Sequence, residues 1–463
     1  MRNDAAPAAR ALIFRLGSIR FATSLLVVLI TNVLNRVLIV EYQTPAGLIA
    51  FIFAFQHLAT PSGLLAGYFS DRLQPHRCRR TPFIAGGMLL SLAVTPWFPQ
   101  WGLALAADPA SRPIFWLGVA LFCLFGVGTT VSATAVNALL VDCLPRRRRG
   151  PAMTLVWILT LLGMISGSSL FEHLSPGAHL ERLTGLFWLF TLLAAAITLG
   201  SLWRLEVPGR TASSRPYAVI PFSQLLAGFA RSGQAVLFFL FLGGSVFFLA
   251  LHIFILTPFG GEVLGLPLGD TTRFGIITSY GTLVGMGAAY WRLQQAGAAA
   301  DIINLPLGLG LAVAAFGLLS LSSVTALPHI ATVGLWLLGI ARGLYNAGLA
   351  NLTMRLAHPS FGGVFMGLWN LISGLALALG EMCGGLFLDH GRHLWEEPGS
   401  AYGGVFLLAA GGLLLCLGSL RFFQVTQYWQ QLAARLGMPL APALPPPAGA
   451  GAVKAAGTLG AEP

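Results

Sequence analysis

The chain has 463 residues, of which 56% are hydrophobic and only 9% are Asp, Glu, Lys or Arg. Its mean hydropathy is +0.77, and a water-soluble protein has no interior large enough to hide so much apolar surface. The formal net charge is +11. Because the basic residues lie in short segments between apolar runs, they indicate membrane-protein loops and argue against a nucleic-acid partner.

Twelve apolar segments follow one another along the chain. Only helices or closed barrels satisfy the backbone inside a bilayer, and these runs are too long and too continuously apolar for barrel strands. Each segment is therefore expected to be a membrane helix. The segments lie at 12–40, 46–69, 82–105, 114–141, 151–171, 184–203, 234–257, 272–293, 302–323, 330–353, 362–387 and 402–423.

A polar connection between the sixth and seventh segments divides the chain into two parts. The sequence thus predicts an all-α integral membrane protein with twelve transmembrane helices in two six-helix halves. The predicted parts are a cytoplasmic N-terminus at 1–11, an N-terminal six-helix bundle at 12–203, a cytoplasmic central loop at 204–233, a C-terminal six-helix bundle at 234–423 and a cytoplasmic, largely disordered tail at 424–463.

The distribution of basic residues predicts the orientation. With both termini on one side, that side carries 20 Arg and Lys residues and the opposite side carries four. Such an excess marks the cytoplasmic side. None of the five cysteines forms a Cys-x-x-Cys pair, so neither a disulfide framework, a metal site nor a covalent cofactor is expected.

The two halves also resemble each other. Gly150 precedes Trp157 by seven residues, and Gly362 precedes Trp369 by seven. This favours parallel six-helix repeats, although chance similarity between two Gly-rich apolar stretches would give the same pattern.

The loop after the second segment reads Gly67-Tyr68-Phe69-Ser70-Asp71-Arg72 and ends in Arg79-Arg80. It resembles the signature loop of the major facilitator superfamily, which implies a major-facilitator-like fold. A glycine permits close helix approach, and an acid can accept hydrogen bonds from a neighbouring helix N-terminus. We expect a conformational latch here. Its predicted residues are Gly67, Asp71, Arg72, Arg79, Arg80, Asp142, Arg149 and Gly150. For Asp142 and the Arg run after it, contact with anionic lipid or an acidic partner is the alternative.

Further segments resemble one branch of that superfamily, the PucC/LhaA bacteriochlorophyll-delivery family. They are Leu34–Glu41 followed by Pro45-Ala46, Arg79–Ile84, Asn137–Asp142 followed by Pro145 and Arg149-Gly150, Pro258–Leu266 followed by Thr271-Thr272, and Ala401–Phe406. Each segment alone is weak, but together, and in this order, they run over nearly the whole chain.

The resemblance implies a non-enzymatic factor in the assembly of light-harvesting complexes. It implies chlorophyll or bacteriochlorophyll as cargo, with antenna polypeptides and chlorophyll synthase as partners in the photosynthetic membrane. A purely structural scaffold that binds no pigment is one alternative. Another is a secondary active transporter that moves a small amphipathic solute by alternating access. Walker, dinucleotide-binding, HExxH and nucleophile-elbow motifs were not found.

Polar residues inside the predicted spans are the candidates for a pigment or substrate pocket, because they are costly in a membrane and need partners. An imidazole could ligate the magnesium of a chlorin, and Arg342 is expected to find an acid, with Glu381 a candidate. An interhelical structural role is the alternative for each. The candidates are Asn35, Arg36, Glu41, His57, His252, Arg342, Asn346 and Glu381.

Overall fold

The computed structural model describes residues 5–34, 37–38, 42, 44, 46–72, 79–174, 180–203, 205–206, 221–266, 268–296, 298–395 and 397–436, and these are almost entirely helical. The first group of helices comprises α1 (Ala5–Val28), α2 (Ala46–Leu58), α3 (Pro61–Arg72), α4 (Thr81–Val94), α5 (Phe98–Ala107), α6 (Arg112–Cys143), α7 (Arg146–Leu174) and α8 (Leu180–Leu202). The second comprises α9 (Phe222–Arg231), α10 (Gly233–Ala250), α11 (Leu256–Glu262), α12 (Leu268–Ala296), α13 (Ala298–Thr325), α14 (Pro328–Leu356), α15 (Gly362–Leu394), α16 (Pro398–Ser419) and α17 (Val425–Leu436).

Ten helices among the described residues are long and apolar enough to cross a membrane. Two predicted segments are not among them. The segment at 46–69 is divided between α2 and α3, with 13 and 12 residues, each too short to span alone. The other, α12, has 29 residues, but the uncharged stretch between Arg273 and Arg292 contains many Gly, Ser, Thr and Tyr residues, which lower its mean hydropathy. The integral membrane fold is confirmed, whereas the count of twelve separate spans is not.

The two halves have the same internal packing. In the first half α1 contacts α7 and α8, and α6 lies between α3 and α4. In the second half α10 contacts α15 and α16, and α14 lies between α12 and α13. The second half therefore repeats the neighbour pattern of the first, as expected for parallel six-helix repeats.

The halves meet where α3 crosses α15 and where α7 crosses α14 and α12. Glycines bring α3 and α15 together: a Cβ on Gly67 would collide with the backbone carbonyl of Gly363, and a Cβ on Gly367 would lie 2.5 Å from the Cα of Leu64. Close backbone approach of this kind is a main source of helix association in membranes. We call this end of the bundle, around residues 72, 80, 143–149 and 356–363, the basic end.

Two short helices at the basic end add detail to the predicted domain organisation. α9 lies within the predicted central loop 204–233, and α17 lies within the predicted tail 424–463. Residues 425–436 of that tail are ordered, because one side of α17 is buried against the second half. Residues 437–463 lie outside the described residues.

Contacts of Gln234 at the start of α10 hold α17 in place. Its side-chain nitrogen donates to the Phe422 carbonyl (3.1 Å) and to Gln427 Oε1 (3.2 Å). Its side-chain oxygen accepts from the Gln424 N–H (2.8 Å). The sequence signal for α17 was its amphipathic spacing, which a search for long apolar runs does not detect.

Two of the predicted segments are not continuous helices. α2 ends at Leu58 and α3 begins at Pro61, which has no N–H to continue the helical hydrogen bonds. The predicted continuous segment 234–257 is also interrupted, because α10 ends at Ala250 and turns at 251–255 precede α11. Discontinuous membrane helices often lie beside binding sites.

Candidate functional site

Several of the predicted latch residues cluster around Arg80, whose side chain is fully buried at the basic end. Its Nε donates to Asp142 Oδ2 (2.8 Å), and its Nη2 lies 2.5 Å from Asp71 Oδ1. Its Nη1 donates to the Ser70 hydroxyl (2.5 Å). Arg80 stands directly before α4, so one guanidinium joins the ends of α3, α4 and α6.

The buried charges around Arg80 are paired. Burial alone would lower the pKa of Arg80, but the carboxylates of Asp142 and Asp71 outweigh it and raise that pKa above its ordinary value. Arg79 adds a second cation, with its Nη2 2.7 Å from Asp142 Oδ1 and donating to the Pro359 carbonyl (3.3 Å). Two arginines thus face two carboxylates, which is the pairing that buried charges require.

Asp71 also caps α15. Its Oδ1 accepts from the Gly363 N–H (3.0 Å) and its Oδ2 from the Val364 N–H (2.9 Å). The first N–H groups of a helix have no partner within the helix, and a negative charge is favoured there. Since Asp71 belongs to the first half and α15 to the second, the contact holds the halves together at the basic end.

Arg149 makes the complementary contact at the end of α14. Its Nε donates to the Leu144 carbonyl (2.9 Å) and its Nη1 to the Ala357 carbonyl (3.2 Å). Ala357 follows the last residue of α14, where carbonyls lack helical partners and a positive charge is favoured. Gly150 beside it has no room for a Cβ, because a side chain of α14 occupies that position. Asp71 and Arg149, both in the first half, therefore contact the two ends of the connection between α14 and α15.

Two residues depart from the predicted latch. Arg72 is exposed, and its guanidinium lies 4.4 Å from the ring centroid of Tyr68. Glu206, which was not predicted, accepts from the N–H groups of Arg79 (3.1 Å), Arg80 (2.9 Å) and Thr81 (2.8 Å) and so caps α4. Its partner Thr81 is 125 residues away along the chain. The only sequence signal was an isolated acid after the sixth segment.

The tryptophans at matching positions of the two halves meet across the interface. Trp157 of α7 and Trp369 of α15 have ring centroids 6.5 Å apart, with their planes at 68°. Beside Trp369, Asn370 Nδ2 donates to the Thr134 hydroxyl (2.7 Å). Trp369 lies two helical turns further along α15 than the glycines at the latch. The bundle is therefore closed at its basic end by two layers of contacts.

The two histidines predicted as ligand contacts differ in accessibility. His252, in the turn between α10 and α11, is 2% exposed, and its ring packs against Phe316 with centroids 5.4 Å apart. It is enclosed within the second half. His57, one residue before the end of α2, is partly exposed, and its Nε2 lies 3.4 Å from Gln56 Nε2.

The remaining predicted pocket residues are not brought together as expected. Arg342 and Asn346 on α14, and Glu381 on α15, are partly exposed near the middle of their helices. Within the described part of the chain no ion pair joins Arg342 to Glu381. The other three predicted pocket residues, Asn35, Arg36 and Glu41, lie outside the described residues.

Comparisons with known proteins agree with this architecture. Residues 33–425 match the family model described as PUCC protein. Protein PucC of Cereibacter sphaeroides is 27% identical over 419 residues, which cover 88% of this chain and 90% of that protein. A Rhodobacter capsulatus protein named bacteriochlorophyll synthase 44.5 kDa chain is 29% identical over 416 residues, covering 85% and 91%.

Solved structures with the same fold are transporters. A bacterial homologue of the iron transporter ferroportin, in an outward-facing state, matches with a TM-score of 0.69 and 14% identity over 90% of this chain and 98% of that chain. The major facilitator superfamily proton:xylose symporter XylE matches with a TM-score of 0.63 and 14% identity, over 92% and 98%. At these identities the likeness concerns the fold, and it confirms the major-facilitator architecture. Since the family model covers most of its length, the chain belongs to the PUCC protein family.

Proposed function

We propose that this protein binds chlorophyll or bacteriochlorophyll and delivers it to light-harvesting polypeptides during assembly of the antenna. The observation that carries the proposal is the family match over 33–425. The name of one relative, a bacteriochlorophyll synthase chain, supports the pigment as cargo. The transporter fold of the structural neighbours favours a carrier over an enzyme.

The closed basic end favours a lateral route for the pigment. The latch and the Trp157–Trp369 layer separate the interior of the bundle from that end. A chlorin is largely apolar, so it can enter from the bilayer and leave toward an antenna helix that docks on the outer helical surface. Partition between two membrane proteins needs no ion gradient. Chlorophyll synthase is the proposed donor, and the basic end is proposed to be cytoplasmic with both termini.

The proposal is tested by purifying the tagged chain from its own host in a mild detergent. The absorption spectrum and the identity of copurifying chains are measured, and the antenna content of a deletion strain is compared with that of the parent. We expect a chlorin band in the red region, copurifying antenna or synthase subunits, and a loss of antenna in the deletion strain.

Other results would overturn the delivery function. A colourless protein without partners, together with a full antenna in the deletion strain, would favour an alternating-access transporter. In that case Glu381→Gln should abolish gradient-driven uptake of a solute. Antenna chains that copurify without pigment would instead favour a structural scaffold.

A further inference from the structure

α2 and α15 form a crevice that widens with distance from the basic end. Along the closed part, Gly363 meets Gly67, Gly367 meets Leu64 and Gly374 meets Thr60, where a Cβ on Gly374 would lie 2.5 Å from the Thr60 methyl carbon. α15 contacts α3 closely but α2 only sparsely. The helices therefore separate beyond Thr60, at the interruption between α3 and α2.

The face of α15 that touches α3 continues into this opening. Glu381 lies seven residues after Gly374, and Gly385 lies eleven residues after Gly374. These spacings keep all three residues on one face of the helix. A Cβ on Gly385 would have nothing within 4 Å, in contrast to one on Gly374. The same helix face is thus packed at Gly374 and open at Gly385, with Glu381 between them and partly exposed.

His57 stands on the opposite wall. It precedes Thr60 by three residues, which places it about one helical turn beyond the contact with Gly374. The Thr60 N–H donates to the His57 carbonyl (3.2 Å), and positions three residues apart share a helix face, so His57 lies on the side of α2 that carries Thr60 toward α15. Along the helix axes, His57 and Glu381 are separated by about 6 Å, from the 1.5 Å rise per residue.

On the basis of the proposed function, we infer that this crevice holds one magnesium chlorin, with His57 as the axial ligand of the metal and Glu381 hydrogen-bonded to a polar group at the ring edge. Neutral imidazole is a common metal ligand, and the buried His252 offers no comparable access. Gly385 on α15 has open space around it, which leaves room for a flat ring. Leu58 beside His57 and Met382 beside Glu381 are exposed apolar side chains, which suits a ligand that arrives through the lipid.

A comparison between a magnesium-containing pigment and its metal-free form separates the role of His57 as axial ligand from that of Glu381 at the ring edge. The full-length protein, purified in detergent, is titrated with bacteriochlorophyll a and with bacteriopheophytin a, which lacks the metal, and the shift of the red absorption band is followed. We expect the wild type to bind the magnesium pigment at least about tenfold more tightly, since one coordinating contact is lost with the metal. His57→Ala should lose this preference and still bind the metal-free pigment.

Two further variants keep the test decisive. His57→Phe keeps a planar side chain but has no ligating atom, so it should also lose the preference. His329→Ala removes an exposed imidazole at the start of α14 and should leave the preference intact. Glu381→Leu should weaken both pigments by the same factor, because both carry the ring-edge groups.

The outcomes distinguish this site from the function on which it rests. A wild type that prefers the magnesium pigment and a His57→Ala variant that keeps the preference would overturn the assignment of His57 and leave pigment delivery standing. Loss of both pigments in both His57 variants would also overturn axial ligation. A wild type that binds neither pigment, with a full antenna in the deletion strain, would overturn the site and the delivery function together.

Discussion

Asp71→Asn should weaken the contact between the two halves at the basic end by about 3 kcal/mol. A negative charge at a partly buried helix N-terminus contributes up to about 2 kcal/mol. The single amide oxygen of Asn can accept from only one of the Gly363 and Val364 N–H groups, and losing the other bond costs about 1 kcal/mol more. Arg80 keeps its bond to Asp142, so the larger cost of an unpaired buried charge does not arise. A change of this size shifts the balance between closed and open states about a hundredfold.

The shift is measured as a distance across the basic end. Spin labels are attached at Arg148→Cys and Arg435→Cys, both exposed and one in each half, after the five cysteines have been replaced by serine. Asp71→Asn should add a population with a longer distance. Asp389→Asn is the control, because this exposed acid lies 3.6 Å from Arg392 and such surface pairs contribute little. An unchanged distance distribution in Asp71→Asn would refute the role assigned to the latch.

Two further variants test the packing. Gly67→Ala should destabilise the protein by about 1–3 kcal/mol and lower its unfolding temperature, because the new Cβ collides with a backbone carbonyl that cannot move aside. Gly86→Ala, in open space on α4, should leave the unfolding temperature unchanged. Equal unfolding temperatures for the two variants would contradict the close crossing of α3 and α15. Gln234→Ala removes three hydrogen bonds that hold α17, together about 2 kcal/mol, and should speed amide exchange at 425–436 about thirtyfold. Exposed Gln430→Ala should leave that exchange unchanged, and similar rates in both variants would show that Gln234 does not anchor the helix.

Sequence patterns were sufficient for the fold and for most of the residues that cluster around Arg80, whereas their action as a conformational latch stays a prediction. Long apolar runs predict membrane helices because lipid leaves the backbone few alternatives. The residue type of Asp71 also predicted a contact with a helix N-terminus, since its charge matches the partial charge of that end.

The contacts that the sequence did not predict depend on distant parts of the chain. Glu206 caps a helix 125 residues away, and the expected pair of Arg342 with Glu381 failed because two charges inside spans need not face each other. The division between α2 and α3 was missed although Pro61 marks it, because the hydropathy of the segment remains high across the proline. α17 was missed because its apolar residues lie on one side only.

The length of α15 gives the glycine crossing a mechanical consequence. With 33 residues, α15 is about 50 Å long, and it touches the latch at one end, the crevice in its middle and Glu262 through Arg392 near the other (2.6 Å). The contacts at Gly367 and Gly374 lie between the two ends, so a rigid α15 would tilt about them. A tilt that separates Asp71 from the start of α15 would move the far part of the helix toward α2. Opening of the basic end would therefore be coupled to narrowing of the crevice.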